Sequence, residues 1–152
     1  MTTLHRRIAV SGILVVATLL LLPAPADAQD GFGLRTGYSI DPDQFYFGAH
    51  VGVGPLVSRL WFRPNIEVGF GDEVTTIALN AEVAYWFSTS SSWKPYLGTG
   101  PALVIYDFDG GSETQGGLNF LFGVAHSGGF FAEVKAGVFD SPEFKIGFGY
   151  TF

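Results

Sequence analysis

The sequence predicts an all-β fold: an eight-stranded antiparallel up-and-down transmembrane β-barrel, preceded by a cleaved signal peptide. Three observations lead there. From about position 31 the chain falls into runs of roughly ten residues that alternate in polarity, separated by clusters of Gly, Asp, Ser and Pro. Within each run one phase is bulky and apolar while the other mixes glycine with polar groups. The acidic residues, finally, gather in every second connection between the runs.

Composition sets the frame for that prediction. Of 152 residues, 47% are apolar and 16% aromatic, but only 14% are charged, against roughly 25% in ordinary soluble domains. Such a chain has too few charges to cover a soluble surface and too many rings for one small core. Cysteine is absent, so no disulfide framework, thiolate metal site or cysteine nucleophile is available, and no cofactor is expected.

The first element is the signal peptide, residues 1–28. Arg6 and Arg7 precede the apolar run Ile8 to Leu22, and Ala26-Asp27-Ala28 supplies the small residues of an A-x-A cleavage site, which places cleavage after Ala28. Fifteen residues that include Ser11 and Gly12 are short of the roughly 20 that a spanning helix needs. The barrel domain is then 29–152, or 152 − 28 = 124 residues. Without Arg6, Arg7 and Asp27 it holds six basic and thirteen acidic residues, a net charge of −7. A nucleic-acid binder would show the opposite balance.

Eight strands follow in order, at 31–40, 44–53, 58–70, 75–87, 94–106, 116–125, 130–139 and 144–152. Phe32, Leu34, Tyr38 and Ile40 form the apolar phase of the first, and Phe45, Phe47, Val51 and Val53 that of the second. The third carries Glu67 and Gly69 in its other phase and an internal Pro64. In the fourth, Leu79, Val83, Tyr85 and Phe87 alternate with Asn80 and Glu82; the fifth contains Gly98, Gly100 and Pro101. The sixth sets Leu118, Phe120, Phe122 and Val124 against Asn119 and Gly123. Glu133, Lys135 and Gly137 share a phase in the seventh, and in the eighth Phe144, Ile146, Phe148, Tyr150 and Phe152 alternate with Lys145, Gly147 and Gly149. Each proline removes a ladder hydrogen bond, so a bulge or bend is expected near Pro64 and Pro101, one able to flip the phase of Trp61 and Arg63 relative to Glu67.

Which phase faces inward decides the class of protein. An eight-stranded barrel has an interior just wide enough for side chains to fill. Packing the apolar phase inside would crowd that interior while glycines wasted the outer face. Turned the other way, bulky apolar residues meet lipid and glycines make room for a few large polar chains. Strands of about 9–11 residues suit a bilayer, and a closed barrel leaves no backbone group unpaired in hydrocarbon. The inward phase then holds Arg35, Glu67, Glu82, Glu133, Lys135 and Lys145, with Arg63 as a possible further base. Buried charge is tolerable only when paired, so a charge network is expected to close the lumen.

With both termini on the periplasmic side, the first, third, fifth and seventh connections face outward. They hold Asp41 and Asp43; Asp72 and Glu73; Asp107, Asp109 and Glu113; and Asp140 and Glu143, with no Lys or Arg among them. YDFDGGSETQGG, Tyr106 to Gly117, reads as the longest outward loop. It lacks the full spacing of a calcium loop, and a solvated acidic loop is expected, with no metal site. Trp61, Trp86, Trp93, Tyr85 and Tyr96 fall near the periplasmic strand ends, as a girdle or as rings closing the mouth.

The stretch from about Phe32 to Phe152 resembles the small eight-stranded outer-membrane β-barrel proteins of Gram-negative bacteria. The likeness rests on KPYLGTGPAL (Lys94 to Leu103), FAEVKAGVF (Phe131 to Phe139) and above all the closing FKIGFGYTF (Phe144 to Phe152). In that family the last strand ends on an aromatic and is read by the outer-membrane barrel assembly machinery as an insertion signal. The resemblance therefore implies that Ile146, Phe148, Tyr150 and Phe152 form that signal. It also implies a monomer in the cell outer membrane, in contact with outer-membrane lipid and lipopolysaccharide. The outward connections are shorter than many relatives carry, which argues against adhesion or receptor roles. One family of outer-membrane lipid A deacylases uses a His and a Ser separated by one residue near the outer leaflet. Here His126 and Ser127 are adjacent and sit in a periplasmic connection before Gly128-Gly129, where a turn is the expected role. His50 reads as a lumen residue bonded to a neighbour. The expectation is a structural barrel with a filled lumen and no catalysis; the alternatives are a small-solute binding or transport barrel and, further off, a lipid A-modifying enzyme.

Overall fold

The structure is a computed structural model that describes residues 29–152. The proposed signal segment 1–28, with Ala26 and Ala28, lies outside the described residues. Eight strands follow one another: β1 (Gly31–Ser39), β2 (Gln44–Val57), β3 (Leu60–Phe70), β4 (Thr75–Trp86), β5 (Trp93–Phe108), β6 (Gly111–His126), β7 (Phe130–Phe139) and β8 (Phe144–Thr151). Each pairs antiparallel with its sequence neighbours, and β8 returns to β1 through the register Gly33↔Thr151 to Ser39↔Lys145, closing the barrel. Among the described residues there is no helix. Closure satisfies the edge groups that an open sheet would expose.

The side-chain phases are set by the pleat. Phe45, Phe47, Ile66, Leu79, Phe120, Phe122, Ile146 and Phe148 stand exposed on the outside, Phe148 at 60% of its full accessibility. Arg35, Glu67, Glu82, Glu133, Lys135 and Lys145 are buried inside. Inward glycines give space to the large inward chains. A Cβ on Gly123 would lie 2.3 Å from the Tyr96 ring, and one on Gly149 would lie 2.5 Å from that of Phe131. Gly37 and Gly147 both face the Tyr46 hydroxyl in the same way.

Two expectations are corrected. The segment Tyr106 to Gly117 is not a long loop: β5 and β6 pair from Trp93↔His126 to Phe108↔Gly111, so only Asp109 and Gly110 form the turn. On the β6 side the hairpin extends past its neighbour, since β7 joins β6 only from Gly117 onward, while β4 accompanies β5 as far as Asp107. Asp107 and Glu113 are therefore strand residues. With water on both faces the strands no longer alternate in polarity, which hides them from a periodicity argument.

The prolines are the second correction. The β3–β4 register runs unbroken through Pro64, and Trp61, Arg63 and Glu67 all point inward, so no phase flip occurs. The β4–β5 register is likewise the same on both sides of Pro101, with Asn80↔Ala102 and Val83↔Thr99. The register shift lies instead in β2, between Val53 and Val57, where Gly54 and Pro55 fall near the end that carries the termini.

Candidate functional site

The lumen is bridged by charge. Arg35 on β1 places Nη1 3.2 Å from Glu67 Oε1 on β3 and 2.7 Å from Glu133 Oε1 on β7. Lys135 Nζ on β7 lies 2.8 Å from both Glu67 Oε1 and Glu82 Oε1 on β4. β3 and β7 are four strands apart in an eight-strand ring, so the Lys135–Glu67 pair joins opposite walls. Lys145 on β8 adds a contact of 2.8 Å to Glu67 Oε2. The structure thus brings all six of the inward charges into one network. Arg63 joins it at 3.6 Å from Glu133 Oε2, so four buried bases face three buried carboxylates.

Two layers adjoin the ion pairs. Asn80 Nδ2 donates to Asn65 Oδ1 at 2.8 Å, and Asn119 Nδ2 donates to Asn80 Oδ1 at 2.9 Å. Asn65 Nδ2 also donates to Glu82 Oε2 at 2.8 Å, and Ser141 Oγ to Asn119 Oδ1 at 2.5 Å. This amide chain ties β3, β4 and β6 to the carboxylates. It was open to sequence reading, because the three asparagines share the inward phase. Toward the end that carries the termini, Trp61, Trp86, Tyr96 and Phe131 form a buried cluster. The Arg63 guanidinium lies 5.0 Å from the Tyr96 ring centroid and 5.3 Å from that of Phe131, within cation–π range. Tyr96 Oη donates to Glu133 Oε2 at 2.8 Å. Trp61, Trp86 and Tyr96 are thus mouth-closing rings, whereas Trp93 and Tyr85 are exposed outside.

The two histidines among the described residues have defined places. His50 is buried, with Nε2 3.2 Å from Thr151 Oγ1 and its ring set edge-on to Phe131. His126 Nδ1 accepts from the Gly128 N–H at 3.0 Å within the β6–β7 turn. Gly129 there has φ +96°, and a Cβ would meet the Thr151 carbonyl oxygen at 2.3 Å, so the turn needs glycine.

On β8, Ile146 and Phe148 point outward; Tyr150 packs edge-on between Phe130 and Phe152. Phe152 donates its N–H to the Phe32 carbonyl at 2.8 Å and stacks on the Phe32 ring. The last residue therefore contributes to the β1–β8 seam. At the far rim, Tyr38 donates to the Asp43 carboxylate and Tyr106 to the Asp140 carbonyl at 2.9 Å.

No protein-family model and no curated protein sequence matches the chain. Among solved structures it is similar to the N-terminal β-barrel domain of Pseudomonas aeruginosa OprF, with TM-score 0.62 and 17% identity over 82% of this chain and 98% of that one. Neisserial surface protein A (NspA) matches with TM-score 0.59 and 19% identity, covering 81% and 98%. The outer membrane enzyme PagL matches with TM-score 0.53 and 13% identity, covering 80% and 99%. At these identities the likeness is one of fold: the chain folds as a small eight-stranded barrel of the outer-membrane type.

Proposed function

We propose that the chain is an integral outer-membrane protein whose lumen is sealed, and that it serves the envelope structurally. The apolar outer belt supports the membrane reading, because hydrocarbon is the solvent that such a face suits. The sealed lumen rests on one observation: Lys135 reaches Glu67 on the opposite wall, Arg35 bridges Glu67 and Glu133, and the pairs are almost fully buried. Removing one partner would leave an uncompensated charge in a low-dielectric interior, so the plug has no inexpensive open state. Fold similarity to an enzyme carries no catalytic residue to this chain, and His126 is engaged in its own turn. The same reading has the chain monomeric, in contact with lipid and lipopolysaccharide, and delivered by the barrel assembly machinery through Ile146, Phe148, Tyr150 and Phe152.

The test is conductance in planar bilayers, read alongside the detergent sensitivity of a strain lacking the protein. A sealed structural barrel gives no unitary current steps, and its loss sensitises the envelope until the wild-type chain is restored. Stable channels would overturn the sealed lumen in favour of a transport barrel.

A further inference from the structure

The outer face carries a groove of about 700 Å³ across β2, β3, β4 and β5, lined by outward side chains that include Val51, Pro64, Ile66, Leu79, Ala81 and Pro101. Its centre is a row of small side chains near the middle of the strands: Pro64 stands opposite Ala81, and Pro101 follows on the other side of Ala81 in the β4–β5 register. Larger residues stand at the next level, where Ile66 pairs with Leu79 and Leu79 with Leu103. The volume lies in the range of small-molecule sites.

The groove is not wholly apolar. The Trp86 N–H donates to the Arg59 carbonyl and the Phe87 N–H to the Pro95 carbonyl. Antiparallel ladders alternate bonded and non-bonded pairs. Counting along β3 and β5 from those two bonds puts the nitrogens of Pro64 and Pro101 opposite the carbonyls of Val51 and Ala81 respectively. Proline has no N–H to give. The ladders are interrupted accordingly: the β2–β3 pairs stop at His50↔Asn65 and resume at Val53↔Phe62, and the β4–β5 pairs stop at Asn80↔Ala102 and resume at Val83↔Thr99. Two backbone carbonyls at mid-barrel, those of Val51 and Ala81, therefore lack a ladder donor, and both residues line the groove.

An unpaired carbonyl in hydrocarbon is costly, and an occupant that brings a donor relieves the cost. A second copy of this chain cannot supply one from the matching zone, because its outward hydroxyls there are engaged: Thr36 donates to the Tyr46 carbonyl and Thr99 to the Asn119 carbonyl, each at 2.8 Å. We propose that the groove binds a bilayer-embedded long-chain molecule carrying a hydroxyl part-way along its chain, which donates to one of these two carbonyls. The inference rests on the membrane reading above, since it is the bilayer that denies these carbonyls water.

The probe is 12-hydroxystearate in competition with stearate, bound to the refolded barrel in detergent micelles and counted by native mass spectrometry. The hydroxylated chain should be preferred about fivefold, the worth of one hydrogen bond. 2-Hydroxystearate, with its hydroxyl beside the headgroup, should bind like stearate. Replacing both prolines (Pro64→Ala with Pro101→Ala) restores the two N–H donors, and should abolish the preference while stearate still binds. Ala81→Leu, which fills the central row, should reduce binding of both chains. Equal binding of stearate and 12-hydroxystearate by a heat-modifiable, folded barrel would overturn the site and leave the membrane reading intact. A chain that is folded and soluble without detergent would overturn both.

Discussion

Glu67 is the residue on which the lumen turns. It meets Arg35, Lys135 and Lys145 from three other strands, and its neighbours are buried with it. Glu67→Ala would leave Lys145 without a carboxylate and take one of two close partners from Arg35 and from Lys135, and should lower unfolding stability in micelles by about 3–5 kcal/mol, read as a fall in the urea midpoint. Combining it with Lys145→Met should recover part of that loss. A midpoint unchanged by Glu67→Ala would mean that water solvates the network. The inward charges were legible in the sequence because they share a phase with glycines or, for Glu82, with Asn80, but their partners were not. A strand pattern says which face a side chain joins, not how far it reaches across the lumen. Tyr96 is the clearest case: its composition suits an interface, yet Gly123 opposite leaves the cavity its ring fills. Gly123→Ala should therefore cost about 1–3 kcal/mol by overpacking, and Tyr96→Ala in the same chain should relieve the clash. A Gly123→Ala barrel as stable as the parent would contradict this packing.

At the scale of the strand, the alternation located all eight elements, because each crosses an environment that differs on its two faces. Where both faces meet water the signal disappears, as in the β5–β6 extension from Phe108 to Gly116, and the Gly-Ser-Glu-Thr sequence there looks like a loop while forming a paired hairpin. The prolines misled for a different reason. A missing N–H deletes one bond, and a ladder anchored on both sides keeps its register across the gap. β8 carries the sharpest test of orientation. Phe148→Arg places a charge on the outer face and should cost about 2–4 kcal/mol if the site lies near the midplane, whereas its neighbour Gly147 would fail through collision with Tyr46. Phe152→Asp, at the β1–β8 seam, should lower the yield of assembled protein in cells more than it lowers the urea midpoint of refolded protein. Normal yields of that variant would set aside the proposed assembly signal and leave the barrel standing.

For the whole molecule, one decision organises everything else: the apolar phase is outside. Ordinary domains put their charges in water and their rings in a core. Here Arg35, Glu67, Glu82, Glu133 and Lys135 are enclosed, while Phe45, Phe47, Phe120 and Phe148 surround them. The acidic residues outside the lumen collect mainly at the rim away from the termini, so the molecule presents one strongly anionic end. That inversion is unstable in water and follows directly from a hydrocarbon solvent. The most direct measurement of it is migration on a denaturing gel of the native protein from fractionated cells, unheated and boiled. A lipid-facing barrel is found in the outer-membrane fraction, is released only by detergent, and runs faster unheated than boiled. Recovery as a folded protein from the soluble periplasm, with migration unchanged by heat, would contradict the inverted assignment.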